Sequence, residues 1–272
     1  MPIHHTAIVH PAARIAEDVH IGPYVCIEGP AEIGGGCTLH AHSILAGRVR
    51  VGNNTTIGHG AVIGAPSQHL SYPPDHAGEV VIGSSNIIRE LCTIHRSTAE
   101  GGATRIGDHN YLMAGTHLAH DVQLGDHVTT ANNALLGGHV QVADRVFIGG
   151  GCVFHQHIRV GRLVIAQGAS AFSKDIPPFT LAAERNTVAG LNTVGLRRAG
   201  MDASRRQEIK NAFKLLYKSG LNTAQALVAA EGLDWGTDAR EFFDFIRAAR
   251  KRGICDLLET VRPGTAPEPD EG

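Results

Sequence analysis

An aliphatic residue that returns every six positions, a Gly or Ala directly after many of them, and a switch to helical spacing beyond Ile176-Pro177-Pro178 predict one fold class: an all-β left-handed parallel β-helix, a hexapeptide-repeat solenoid, with a C-terminal α-helical domain. The register runs through Ile15, Ile21, Ile27, Ile33, Leu39, Leu45, Val51, Ile57 and Ile63, resumes at Ile82, Ile88 and Ile94, and continues from Ile106 to Phe172. Six residues make one flat face and the smallest closed prism has three, so a coil should take roughly eighteen residues and rise about 4.8 Å. Each leading aliphatic points inward. The small residue after it, as in Ile21-Gly22, Val51-Gly52 and Leu124-Gly125, is expected to supply the backbone freedom of a tight corner, which accounts for the 33 glycines.

Two places interrupt the repeat. Ile63 and Ile82 are nineteen residues apart, with Pro66, Pro73 and Pro74 between them, so Ala65 to Val81 should leave the prism as an external loop. Thr98 to Arg105 keeps the six-residue phase but puts Glu100 where an aliphatic belongs, followed by Gly101-Gly102, and reads as a lip beside a site. In the helical part Asp202 and Ser204 are candidate N-caps, and Ser204 with Gln207 makes a capping box. Ile209, Phe213, Leu216 and Tyr217 follow at helical spacing, and Thr223 to Ala230 and Asp238 to Lys251 read as two further helices. The expected organisation is a β-helix domain over 1–180, a helical domain over 181–260 and a disordered tail over 261–272, polar and Pro-rich from Pro263 to Gly272.

A formal net charge of -2 and a pI near 6.8 give no strong attraction for nucleic acid or anionic membrane. No apolar run approaches the roughly twenty residues that span a bilayer, and the N-terminus lacks a charged and then hydrophobic leader. Five cysteines without a C-x-x-C pair fit a reducing compartment, so a cytoplasmic protein is expected.

The chemistry lies in the 17 histidines. Subtracting whole coils of eighteen residues brings His117, His120, His139, His155 and His157 to one edge of the prism, with His95 nearby. Asp121, His139 and His157 form one ladder, and His120, Gly138 and Gln156 the ladder beside it. Imidazoles, a carboxylate, an amide and a bare backbone on adjoining coils suit acid–base chemistry with a backbone oxyanion donor. His4, His10, His20, His40, His42, His59, His109 and His127 lie outside this set and read as solvated corner residues.

Several motifs carry a resemblance. Ile94-His95-Arg96, Thr116-His117-Leu118-Ala119-His120-Asp121, Ala131-Asn132-Asn133-Ala134, Gly137-Gly138-His139-Val140 and Val153-Phe154-His155-Gln156 resemble, in order and spacing, the UDP-N-acetylglucosamine O-acyltransferase family of lipid A biosynthesis. Gly190-Leu191-Asn192, Gly195-Leu196-Arg197-Arg198 and the segment from Ala212 to Gly220 extend the similarity to roughly residues 1–260. The resemblance implies a homotrimer with sites in the clefts between subunits, an acyl carrier protein thioester as donor, a UDP-sugar as acceptor and no cofactor. It makes His120 the general base and the Gly138 N–H the oxyanion donor, with room left for the acyl group. Gln68, His69, His95, His117, Asp121, His139 and Gln156 become substrate-contacting positions, with Asp121 either orienting an imidazole or stacking under His139. Asn192 and Arg198 hold the nucleotide sugar, and Gly168 stands at the hydrocarbon ruler, open to a long 3-hydroxyacyl chain.

The chain also departs from the family. The loop reads Gln68-His69-Leu70-Ser71-Tyr72 where the family has Gln-Asp-Leu-Lys-Tyr, and Val194 replaces a common Glu. A 3-amino sugar acylated on nitrogen is therefore an alternative acceptor. Metal-dependent hydration of the kind seen in β-helix carbonic anhydrases is a second alternative, disfavoured because the histidine pair separated by four residues is missing, and no metal ligand is assigned. A non-catalytic assembly module is the third.

Overall fold

In the computed structural model, which describes residues 3–72, 78–249 and 252–258, the chain winds into a three-sided parallel β-helix capped by four helices. Among the described residues the short strands stack into three sheets of nine, eight and eleven strands, the prism's first, second and third faces. The first begins at Ile8–Val9, the second at Arg14–Ile15 and the third at His20–Ile21, and successive strands visit them in rotation. The aliphatic of every hexad points into the prism: Ile21, Leu39, Leu45, Ile57, Ile63, Ile88, Ile94, Leu112, Leu118, Leu136 and Ile148 are completely buried. Burying one such side chain contributes roughly 1.5–3 kcal/mol.

The step from coil to coil is eighteen residues on either side of a longer stretch. Asn86 pairs with Thr55 across 31 residues and Asn110 with Asn86 across 24, and the step returns to 18 at Val128. Ala65 and Glu79 belong to the strands Val62–Ala65 and Glu79–Ile82, so the first excursion is the shorter segment 66–78, of which 73–77, with Pro73 and Pro74, lie outside the described residues. The second excursion is a true insertion: Ile82 pairs with Ile106, and no strand forms around Glu100. A six-residue phase can be kept by an insertion of six, which is why the sequence hid it.

The corner glycines have a different reason from the one expected. Gly22, Gly52, Gly58, Gly125 and Gly149 do not have positive φ; the left-handed corner positions belong mostly to other residues, among them Asn54, His109, Asp121, His127, Asn133, His139 and His157. What excludes a side chain after the aliphatic is the next coil: a Cβ on Gly52 would stand 2.6 Å from the Gly83 carbonyl carbon, and one on Gly58 2.6 Å from that of Arg89.

The third sheet continues past residue 180 through Thr180–Ala183, which extends it in parallel, and Thr187–Leu191, which returns antiparallel. Asp256–Leu257 comes back from beyond the helices to close its edge. Helix α1 (Thr193–Arg198) follows, then α2 (Ala203–Tyr217), α3 (Thr223–Glu231) and α4 (Thr237–Arg247). Asp202 caps α2, accepting from the Arg205 N–H at 2.9 Å, and Ser204 lies inside the helix. The capping box is at α3 instead, between Asn222 and Gln225. Helix α4 ends at Arg247 rather than Lys251, which lies outside the described residues, as does the tail. Arg162 fastens this cap to the prism by hydrogen bonds to Glu241 and Asp238, and Arg205 of α2 shares Asp238. No helix of the described residues is long and apolar enough to cross a membrane. The five cysteines are free; Cys37, Cys92, Cys152 and Cys255 are buried, while Cys26 faces outward on its strand.

Candidate active site

The histidines gather where the chain turns from the first face to the second. His117 pairs with Thr93, and Asp121 faces Ser97 across 24 residues, so the longer step, not one of eighteen, decides what lies beneath the cluster. Above it the regular coils restore the predicted ladders. His139 N–H donates to the His120 carbonyl at 3.0 Å and His157 N–H to that of Gly138 at 2.9 Å. The His139 and His157 rings stack at 4.5 Å, tilted by 9°.

His120 is almost wholly buried. Its Nδ1 lies 2.9 Å from Asp121 Oδ2. Burial alone would raise the Asp121 carboxyl, but hydrogen bonds from Ser97, His120 and Thr98 outweigh it and hold the group at about 2. An ionised carboxylate accepts, so Nδ1 of a neutral His120 carries the proton and Nε2 keeps a lone pair. The ring lies over Gly138: a Cβ there would stand 2.6 Å from both Cε1 and Nε2. The bare backbone therefore makes room for the imidazole. Among the described residues the Gly138 N–H donates to no protein acceptor.

Around this pair stand four more imidazoles. His139 packs edge-on to His120 with ring centroids 5.1 Å apart, its Nε2 3.7 Å from Asp121 Oδ2. His69, on the external loop, meets the other side of His120 edge-on at 5.6 Å, and its Nδ1 accepts from the Ser71 N–H at 3.2 Å. His95 lies below, buried, and contacts His117 edge-on at 4.9 Å. Burial first, then the neighbouring His117 and His120, depresses His95 to about 4, and burial also lowers His117, whose Nδ1 is 2.7 Å from Thr93 Oγ1. Both shifts favour the neutral form of His95 and His117.

The structure thus joins His69, His95, His117, His120, Asp121, Gly138 and His139, with Gln156 exposed on the coil above Gly138 and Gln68 exposed beside His69. It does not bring the other three to them within one chain. Gly168 lies on a different edge, between the third and first faces. Asn192 is the buried N-cap of α1, its side chain accepting from Gly195 N–H and donating to the Leu163 carbonyl, both at 2.8 Å. Arg198 is exposed at the end of α1, and Val194 lines a groove with Arg197, Arg206 and Lys210. His155 accepts from Arg252 at 2.6 Å. Ser97, Thr98 and Thr104 surround Asp121; the sequence placed Thr98 and Thr104 in a lip beside the site without giving them a partner, and the 24-residue step supplies it.

Among the described residues His120, Asp121 and His139 are the group with the donor types and spacing for a metal ion, their ligand atoms lying within 4.8 Å of one another. Both Asp121 oxygens are already engaged by hydrogen bonds, an arrangement that suits an oriented acid–base pair.

Comparison with known proteins finds relatives over most of the chain. Residues 175–255 match the family described as UDP-N-acetylglucosamine O-acyltransferase, domain 2, and residues 30–65 and 103–138 match the bacterial transferase hexapeptide repeat. The chain is 40% identical over 247 residues, 90% of its length and 95% of the relative's, to acyl-[acyl-carrier-protein]–UDP-N-acetylglucosamine O-acyltransferase of Halorhodospira halophila. It is 41% identical to the protein of the same name from Thermodesulfovibrio yellowstonii, covering 93% and 98% of the two chains. The solved structure of LpxA from Acinetobacter baumannii superposes with a TM-score of 0.88 at 38% identity, over 93% of this chain and 98% of that one. The left-handed β-helix expected from the repeat is the fold of these relatives and of this chain.

Proposed function

The chain belongs to the UDP-N-acetylglucosamine O-acyltransferase family, and from that premise we propose that it transfers a 3-hydroxyacyl chain from an acyl carrier protein thioester to the 3-hydroxyl of UDP-N-acetylglucosamine, the entry step of lipid A biosynthesis. It is an acyltransferase. The observation that carries the mechanism is the 2.9 Å contact of His120 Nδ1 with Asp121 Oδ2, which assigns the proton to Nδ1 and leaves Nε2 to accept, over a Gly138 N–H that has no protein acceptor among the described residues. As the sugar oxygen attacks the thioester carbonyl, Nε2 takes its proton, and the Gly138 N–H stabilises the tetrahedral oxyanion. Collapse breaks the carbon–sulfur bond, and the imidazolium returns its proton to the leaving thiolate, so no cofactor is required. The surrounding imidazoles of His69, His95, His117 and His139, with Gln68 and Gln156, supply hydrogen bonds to the sugar and acyl groups, and burial keeps His95 and His117 from adding charge near the base.

The working unit in this reading is a cyclic homotrimer. The outward positions of the second face are charged or polar at Arg14, Glu32, Arg50, Arg105 and Arg159, with Val81 the apolar member of that row, whereas Ile8, Leu135 and Val153 on the first face and Ile87 and Phe147 on the third stand more than 40% exposed. Two apolar faces that meet at one edge suit a head-to-tail ring. A partner would bring Gly168, Asn192 and Arg198, remote from His120 within one chain, to the cleft that His120 borders. Light scattering at micromolar concentration tests the assembly, and a 28.8 kDa monomer would overturn it. Comparing kcat/KM for UDP-N-acetylglucosamine and its 3-amino analogue tests the acceptor: preference for the hydroxyl sugar is expected, and the reverse would make this an N-acyltransferase.

A further inference from the structure

We propose that Ser97 and Thr98 are positioning residues for the transfer, fixing Asp121 and through it the tautomer and orientation of His120, an inference that rests on the acyl-transfer reading above. The six-residue insertion is built around Asp121. Ser97, beneath it on the ladder, donates its hydroxyl to Oδ1, while the Thr98 N–H and hydroxyl donate to Oδ2 at 3.2 and 2.7 Å. The Ser97 oxygen itself accepts from the Ala99 N–H at 3.0 Å, which directs its proton to the carboxylate. On the return path Thr104 Oγ1 accepts the Asp121 N–H at 2.8 Å.

Ser97 and Thr98 are 1% and 4% exposed, so both hydroxyls meet the carboxylate out of contact with bulk water. Gly101, at φ +67°, and Gly102, where a Cβ would stand 2.8 Å from that of Ala99, let the lip close tightly. Charge-assisted bonds to an ionised acceptor are the strong ones, and with Ser97 on Oδ1 and both Thr98 donors on Oδ2 the carboxylate cannot rotate, which holds Oδ2 against His120 Nδ1. The other groups facing His120, His139 from the coil above and His69 from the loop, offer rings and no fixed charge.

The test uses the full chain with Ser97→Ala, Thr98→Val and Thr98→Ser, steady-state kinetics, and nitrogen NMR of the histidine rings. Thr98→Val and Ser97→Ala should each lower kcat about tenfold while KM for the UDP-sugar stays within about twofold, Thr98→Ser should restore kcat, and the His120 signal should change from a single Nδ1–H tautomer to a mixture. Unchanged kcat together with an unchanged tautomer in either loss variant overturns the proposal, as does a rise in KM with kcat intact. If Thr98→Val fails to fold, Ser97→Ala decides by the same readouts. A wild-type chain without acyl transfer but with a tautomer that depends on Ser97 and Thr98 would sink the transfer reading and leave the positioning role standing.

Discussion

The corner between the second and third faces and the corner between the first and second use the same six-residue turn, yet their backbone amides meet opposite fates. On the former edge the N–H groups of Ser84, Asp108 and Asp126 donate to Oδ1 of Asp108, Asp126 and Asp144 at 2.6, 2.7 and 2.9 Å, so each coil is tied to the next through a side chain. Gly83, Gly107 and Gly125 leave room for those carboxylates. On the latter edge the same position is held by His120, Gly138 and Gln156, and the Gly138 N–H has no protein acceptor among the described residues. The backbone is alike in both. One side-chain choice per coil decides whether an amide is used to hold the fold or left to stabilise charge on a substrate.

The sharpest break of this contrast is removal of the base. His120→Ala should lower kcat by about 10²–10⁴, and near-normal turnover would move the base elsewhere on the ladder. Next comes the amide itself. Gly138→Ala would drive a Cβ to 2.6 Å from the His120 ring, and we expect kcat to fall about 10²-fold as the ring is displaced from the Asp121 bond. A kcat within threefold would show that the ring can give way at no cost.

The third prediction concerns acid. His95 is buried neutral, and its folded value of about 4 lies below the ordinary 6.5, so the unfolded chain takes up a proton first. Stability should therefore decline as pH falls from about 6.5 to about 4, by roughly 3 kcal/mol. Denaturant midpoints at pH 7 and pH 4.5 measure it. His95→Gln should flatten the dependence, whereas His109→Gln, on the structural edge where His109 and His127 stack exposed, should not.

The smallest effect belongs to that structural edge. Asp126→Ala removes one tie between coils and should cost about 1 kcal/mol while leaving kcat within twofold. A large loss of activity would mean that the two edges are coupled.

The period of six, the inward aliphatics and the three faces could be read from the residues because each hexad repeats the same local pattern, and a local pattern needs no knowledge of its neighbours. His139, His157, Gly138 and Gln156 were legible for the same reason: they lie in the stretch where the step is eighteen. What stands beneath His120 was not, because it depends on how many residues leave the prism between one coil and the next, and an insertion of six is silent in the phase. The tertiary structure alone decided that Ser97 lies under Asp121, that the glycines yield to the adjacent coil rather than to a left-handed φ, and that Asp256–Leu257 returns to the third sheet. Each is a contact between segments distant along the chain, set by steric fit and by where polar groups find partners, and neither quantity is carried by the periodicity of a single strand.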